Sequence, residues 1–115
     1  MNGSERRQYP RLPYGAWVET EDDEQGLRFY PSINLSAGGL LLRAPDVPPP
    51  LGRRVRLRLV VENEARVMTV QGEVVRHDHD RTFAVRFANL DTARQAFLQD
   101  LVDEVAAGQG DKGAK

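Results

Sequence analysis

Between Arg54 and Val61 the chain alternates: Val55, Leu57, Leu59 and Val61 are apolar, and Arg54, Arg56, Arg58 and Val60 fill the places between. A period of two sends successive side chains to opposite faces, so this segment is a half-buried β-strand. The pattern recurs downstream. Arg66–Arg76 carries Met68, Val70, Gly72 and Val74 on one face, and Arg81–Ala88 carries Phe83, Val85 and Phe87. Upstream, Tyr14–Thr20 and Leu27–Ile33 are strand candidates, and Leu40-Leu41-Leu42 is a short buried run. Pro31 points to an edge or bulge, and Gly72 to a bend where a sheet curls. Six short strands with turns between them predict a small all-β barrel or sandwich.

The turns have their own signatures. Glu21-Asp22-Asp23-Glu24 before Gln25-Gly26 is expected to be a solvated hairpin tip, since the alternating ligand spacing of a calcium loop is absent. Asn34–Gly39 is expected to be a turn, and Asp46–Gly52 a proline-rich loop. His77-Asp78-His79-Asp80 has metal-ligand residue types but no third ligand nearby in sequence, so it is taken as a polar turn.

After Ala88 the period changes. Ala93, Phe97, Leu101 and Val105 stand four apart, joined by Leu98 and Val102, which is an apolar helical stripe. Asp91 or Thr92 can cap it, and Thr92 with Gln95 fits a capping box. Gly108 is expected to end it. Such a helix packs on an open end of the barrel or serves a dimer interface. The domain reading is therefore a flexible arginine-bearing arm over 1–13, a barrel plus helix over 14–107, and a disordered tail over 108–115.

Composition excludes several functions. A chain of 115 residues is one domain. Without cysteine it has no disulfide framework, no Cys-ligated metal and no thiol nucleophile. A net charge of -1 argues against coating nucleic acid, so direct nucleic-acid binding is not expected. No apolar run approaches the ~20 residues of a membrane span, and Met1–Arg11 lacks the apolar stretch of a signal peptide, so a cytoplasmic protein with no membrane insertion is expected. Ser36 has no evident His/Asp relay, so no catalytic residue is assigned. Trp17, Tyr30, Phe83 and Phe87 sit on strand patterns and are taken as packing residues. The Arg54, Arg56 and Arg58 face is taken as solvated. Of the 16 basic residues, Lys112 and Lys115 are lysine and the rest arginine, the side chain suited to bidentate contact with phosphate and guanine.

Two short motifs remain. Arg7-Gln8-Tyr9-Pro10-Arg11, with Arg6 ahead of it, lies on the arm, where two prolines disfavour helix. Asn34-Leu35-Ser36-Ala37-Gly38-Gly39 precedes the Leu40 run. Taken singly, the first is solvated charge and the second a turn. Together, in this order around short strands, they resemble the PilZ domain, whose motifs are Arg-x-x-x-Arg and Asp/Asn-x-Ser-x-x-Gly. Arg7 and Arg11 match the first; Asn34, Ser36 and Gly39 match the second. The resemblance runs from about Arg6 to Val105.

The resemblance implies a six-stranded antiparallel split barrel with a C-terminal helix, and a non-enzymatic receptor for cyclic di-GMP. It implies a ligand site of Arg6, Arg7, Arg11, Asn34, Ser36, Gly38 and Gly39. Arg6, directly before the first motif, implies two ligand molecules per protomer. Where many members carry glycine near the start of the last strand, this chain has Phe83-Ala84. A stand-alone receptor implies a downstream protein partner, which the sequence does not identify, and a monomer or homodimer. The alternative is a PilZ-type adaptor in motility or pilus assembly that binds no nucleotide.

Overall fold

The computed structural model describes residues 12–113, with side chains as far as residue 108. Arg6, Arg7 and Arg11 lie outside the described residues. The elements in chain order are β1 (Leu12–Pro13), β2 (Trp17–Asp22), β3 (Gly26–Ser36), β4 (Gly39–Arg43), β5 (Arg54–Val61), β6 (Arg66–His77), β7 (Thr82–Ala88) and α1 (Thr92–Gly113).

All pairings are antiparallel, in the order β1-β3-β2-β5-β6-β7-β4, and β4 returns to pair with β3. That last pairing closes β2–β7 into a six-stranded barrel, as expected, and β1 is a short extra strand. The alternation of β5 is kept: Val55, Leu57, Leu59 and Val61 are buried, and the residues between them are exposed. Closure requires bends. Register shifts at Ile33 in β3 and Val75 in β6 add one residue against β4 and β7 respectively, and such bulges sharpen strand twist. A third irregularity, at Tyr14–Ala16, separates β1 from β2 on the same side of β3. The Ser32 hydroxyl fills it, facing the Tyr14 carbonyl at 3.0 Å and the Ala16 carbonyl at 2.6 Å.

Gly72 sits in the core wall rather than at a bulge. A Cβ there would lie 2.5 Å from Val85 Cγ1 and 2.9 Å from Leu57 Cδ1. Inside, Leu35, Leu40, Leu42, Leu57, Leu59, Val70 and Phe83 are fully buried, and Tyr30 meets Phe83 edge-on at 5.1 Å.

The helix covers one end of this core. Phe97, Leu98, Leu101 and Val102 are buried, each contributing roughly 1.5–3 kcal/mol. Ala93, expected in the stripe, is exposed, because it precedes the turn that reaches the barrel. Asp91 is the cap: its Oδ1 accepts the Arg94 N–H at 2.8 Å, and this bond lowers its pKa. Glu104 pins the helix to the β5–β6 turn, accepting the N–H groups of Glu62 at 3.0 Å and Asn63 at 2.7 Å. Arg66 adds a bond to Asp100 at 3.0 Å and lies 5.3 Å over the Phe97 ring.

Several expectations need correction. The helix passes Gly108 and runs to Gly113. Glycine lowers helix stability by about 1 kcal/mol relative to alanine without forbidding the helix, and Gly108 lacks the positive φ of a terminating glycine. Leu12 and Pro13 belong to the sheet rather than to the arm. The acidic tip is not wholly solvated. Asp22 is buried and folds the turn, accepting the Glu24 and Gln25 N–H groups at 2.8 and 2.6 Å. Trp17 is 69% exposed rather than packed, since it faces outward from β2, opposite Pro31.

Candidate functional site

The Asn34–Gly39 motif is a tight hairpin rather than a long turn. Asn34, Leu35 and Ser36 continue β3, and Gly39 starts β4. Ser36 pairs with Gly39, leaving Ala37 and Gly38 at the tip. Leu35 explains why the strand continues this far: it is fully buried in the core opposite Leu40.

Ser36 is buried, and its hydroxyl is engaged within the hairpin. It accepts the Gly38 N–H at 3.2 Å and faces the Gly39 carbonyl, as donor, at 3.5 Å. A hydroxyl has one proton and two lone pairs, so one acceptor position remains. Ser36 thus fixes the shape of the loop that presents its neighbours. The Gly38 carbonyl accepts the Phe87 N–H at 2.9 Å, which ties the tip to β7. Gly39 is required by close approach and not by positive φ: a Cβ there would strike the Val85 carbonyl oxygen.

Residues directly opposite each other across strands share a face. Leu35, Leu40, Leu42 and Val85 point into the core, so the residues between them form the outer face. Across β3, β4 and β7 one outer row is Asn34, Leu41 and Ala84, and the next is Ser36, Gly39 and Arg86. The rows make a low floor of small and aliphatic groups with an amide at one side and a guanidinium at the other. Arg86 joins this row only through the register, since in sequence it is one more exposed residue of an alternating strand; Ala84, the small residue the resemblance singles out near the start of the last strand, is buried in the neighbouring row. The Arg86 side chain is 65% exposed and meets Glu73 at 3.4 Å. On the other side of β3, Pro13 lies opposite Asn34 and Leu12 opposite Leu35. The strand that follows the arginine motif in sequence is therefore hydrogen-bonded beside the second motif.

Such a surface suits a flat, anionic, hydrogen-bonding ligand. An asparagine amide both donates and accepts toward a base edge. Small residues admit a ring close to the backbone. A guanidinium grips phosphate or guanine in a planar fork.

Other polar clusters are committed elsewhere. Arg56 meets Asp23 at 3.3 Å and Glu21 at 3.7 Å. The cleft of about 360 Å³ lined by Arg54, Arg56 and Gln71 also holds Asp23 and Glu73, so its charge is mixed. His77 Nε2 lies 2.6 Å from the Pro49 carbonyl. Among the described residues no three His, Cys, Asp or Glu side chains gather as a metal site.

Comparison with known proteins accords with this geometry. The PilZ domain family model matches residues 5–104. The PilZ domain of Escherichia coli YcgR, solved with c-di-GMP, superposes with a TM-score of 0.78 at 17% identity, over 96% of this chain and 98% of that one. Bacillus subtilis inhibitor of motility (MotI/DgrA) gives 0.65 at 23% identity, over 85% of this chain and 50% of its own. The Klebsiella pneumoniae MrkH–c-di-GMP complex gives 0.71 at 14% identity, over 93% and 55%. No curated protein sequence matches the chain. The family match spans both motifs and every strand, and the barrel has the fold of these structures: the chain belongs to the PilZ domain family.

Proposed function

We propose that this protein is a non-enzymatic cyclic di-GMP receptor whose arginine arm closes over the ligand against the β3–β4 hairpin. The observation that carries the reading is the pairing of β1 with β3. It brings the chain segment directly following Arg11 alongside Asn34. Two motifs more than twenty positions apart in sequence then serve one ligand.

The chemistry is consistent. Cyclic di-GMP has two anionic phosphodiesters and two guanines. Arg7 and Arg11 bind phosphate oxygens and the O6/N7 edge of guanine through charge-assisted bonds. Asn34 addresses a second guanine edge, and Ser36 holds the hairpin while offering its remaining lone pair. Gly38 and Gly39 leave the base room to approach the backbone. Ala84 keeps the adjoining floor small. Arg6 adds a third cation, which suits two stacked ligands with four phosphates between them.

An arm that touches the ligand only when closed has unequal affinity for open and closed states, which is what shifts an equilibrium. Closure would create a new surface for a downstream protein, an order–disorder device. Regulation of motility is the first process to test, since one structural neighbour is an inhibitor of motility.

Isothermal titration with cyclic di-GMP tests the reading. Saturable binding at two ligands per chain, abolished by Arg7→Ala, is expected. Saturation at one ligand would remove the role given to Arg6. A folded wild-type protein that binds none would leave the adaptor reading in place.

A further inference from the structure

Trp17 and Phe29 are 69% and 54% exposed, although both are large and apolar. They are not scattered. Trp17 stands opposite Pro31 on β3, and Phe29 is two residues from Pro31 on the same face. With Pro45 they line a cleft of about 230 Å³, rimmed by Arg43 and Arg81. Grouped exposed apolar side chains mark interaction sites rather than ordinary surface. Tryptophan and arginine are also the side chains that most often dominate binding energy at interfaces.

The residues that line this cleft carry charge of one sign, although Glu19 stands opposite Phe29 beside it. Two arginines line it and no carboxylate does. Among the described residues neither guanidinium has a hydrogen-bond or ion-pair partner. Two other clefts have mixed charge. One combines Arg54 and Arg56 with Asp23 and Glu73; the other, which Trp17 also borders, combines Arg58 with Glu62 and Glu104. Arg81 is also held where it is by unusual backbone. Asp80 and Arg81 both have positive φ, 59° and 61°, and the Thr82 hydroxyl donates to the His79 carbonyl at 2.7 Å to brace the turn. Left-handed conformation costs a non-glycine residue roughly 1–2 kcal/mol, so this placement is maintained against a local penalty.

Size decides the class of occupant. Small-molecule pockets usually span about 300–1,000 Å³, and this cleft is smaller and open. It fits one inserted side chain. We propose that the Trp17 cleft docks an acidic segment of a partner protein, which inserts one bulky apolar side chain between Trp17, Phe29 and Pro31 and sets its carboxylates on Arg43 and Arg81. The inference goes beyond the nucleotide reading and does not depend on it.

The test is selection of a phage-displayed random 12-residue peptide library on the whole protein, with and without cyclic di-GMP. Peptides bearing an aromatic or leucine side chain flanked by Asp or Glu are expected. Trp17→Ala and Arg81→Glu should each weaken a selected peptide at least about tenfold, as for an interface anchor. Both variants should keep the far-ultraviolet circular dichroism of the parent, because both side chains are exposed. The Trp17 indole N–H resonance should shift on peptide addition. Any of four results would overturn the proposal: no enrichment over selection on Trp17→Ala; enrichment of basic or uncharged proline-rich peptides; a Trp17 indole that moves with cyclic di-GMP and not with peptide; or loss of the cleft to a second copy of the chain in solution. Cyclic di-GMP titration of the same samples separates failure here from failure of the receptor reading.

Discussion

Gly39 lies so close to the Val85 backbone across β4 and β7 that a Cβ at position 39 would strike the Val85 carbonyl oxygen. Backbone on one strand thus fixes the residue on the other. Gly39→Ala must push β4 and β7 apart, and overpacking of this kind costs about 1–3 kcal/mol. Urea denaturation should show a lower midpoint with an unchanged slope. At Gly72 the obstructing atoms, Val85 Cγ1 and Leu57 Cδ1, belong to fully buried side chains, so Gly72→Ala should also cost about 1–3 kcal/mol.

Ser36 carries a different prediction, because its hydroxyl shapes the hairpin tip through Gly38. Ser36→Ala should lower stability by about 1 kcal/mol, the net worth of one hydrogen bond. Its effect on ligand should be larger in relative terms, about a tenfold loss of cyclic di-GMP affinity, or 1.4 kcal/mol. Calorimetry on the variant at a temperature where it is fully folded distinguishes the two effects.

The helix is anchored by its buried face and not by its first residues. Phe97 is fully buried, so Phe97→Ala should cost about 3–5 kcal/mol in thermal or urea unfolding. Ala93 is exposed, and Ala93→Ser should stay within about 0.5 kcal/mol. Removing the Glu104 carboxylate should free the Glu62 and Asn63 amides, and their hydrogen exchange should quicken in Glu104→Ala.

Acid should act through Asp22. Burial works to raise its pKa, but the Gln25 and Glu24 N–H groups and the Arg53 guanidinium outweigh burial and hold it below the ordinary value of 3.8. A lowered folded-state pKa means stability that is present above the unfolded value and lost as pH falls through the folded one. Unfolding free energy should therefore decline below about pH 4, and Asp22→Asn should flatten that part of the profile.

How much of this was legible in the sequence follows from what a pattern can encode. Alternation placed β5, β6 and β7 because each has one face in the core, and the four-residue stripe placed α1 by Phe97, Leu101 and Val105. The two motifs were visible as residue types at fixed spacing. The pairing of Pro13 with Asn34 was not, because it depends on a bulge at Tyr14–Ala16 that no local residue announces. Asn34–Ser36 read as a turn because Asn and Ser favour turns, and only the burial of Leu35 makes the strand continue. Arg86 joins the floor through register alone, whereas Ala84 is singled out by the resemblance. Trp17 reads as a packing residue because its neighbours Ala16 and Val18 are both apolar, so the sequence does not distinguish the outward from the inward face of this strand.

The most direct test of the account is a map of backbone amide shifts in the protein titrated with cyclic di-GMP. The account predicts the largest changes at Ser36, Gly38, Gly39, Leu41, Ala84 and Arg86, with little change along α1. Saturable binding that moved none of these amides, or that moved only residues remote from the β3–β4 hairpin, would contradict it.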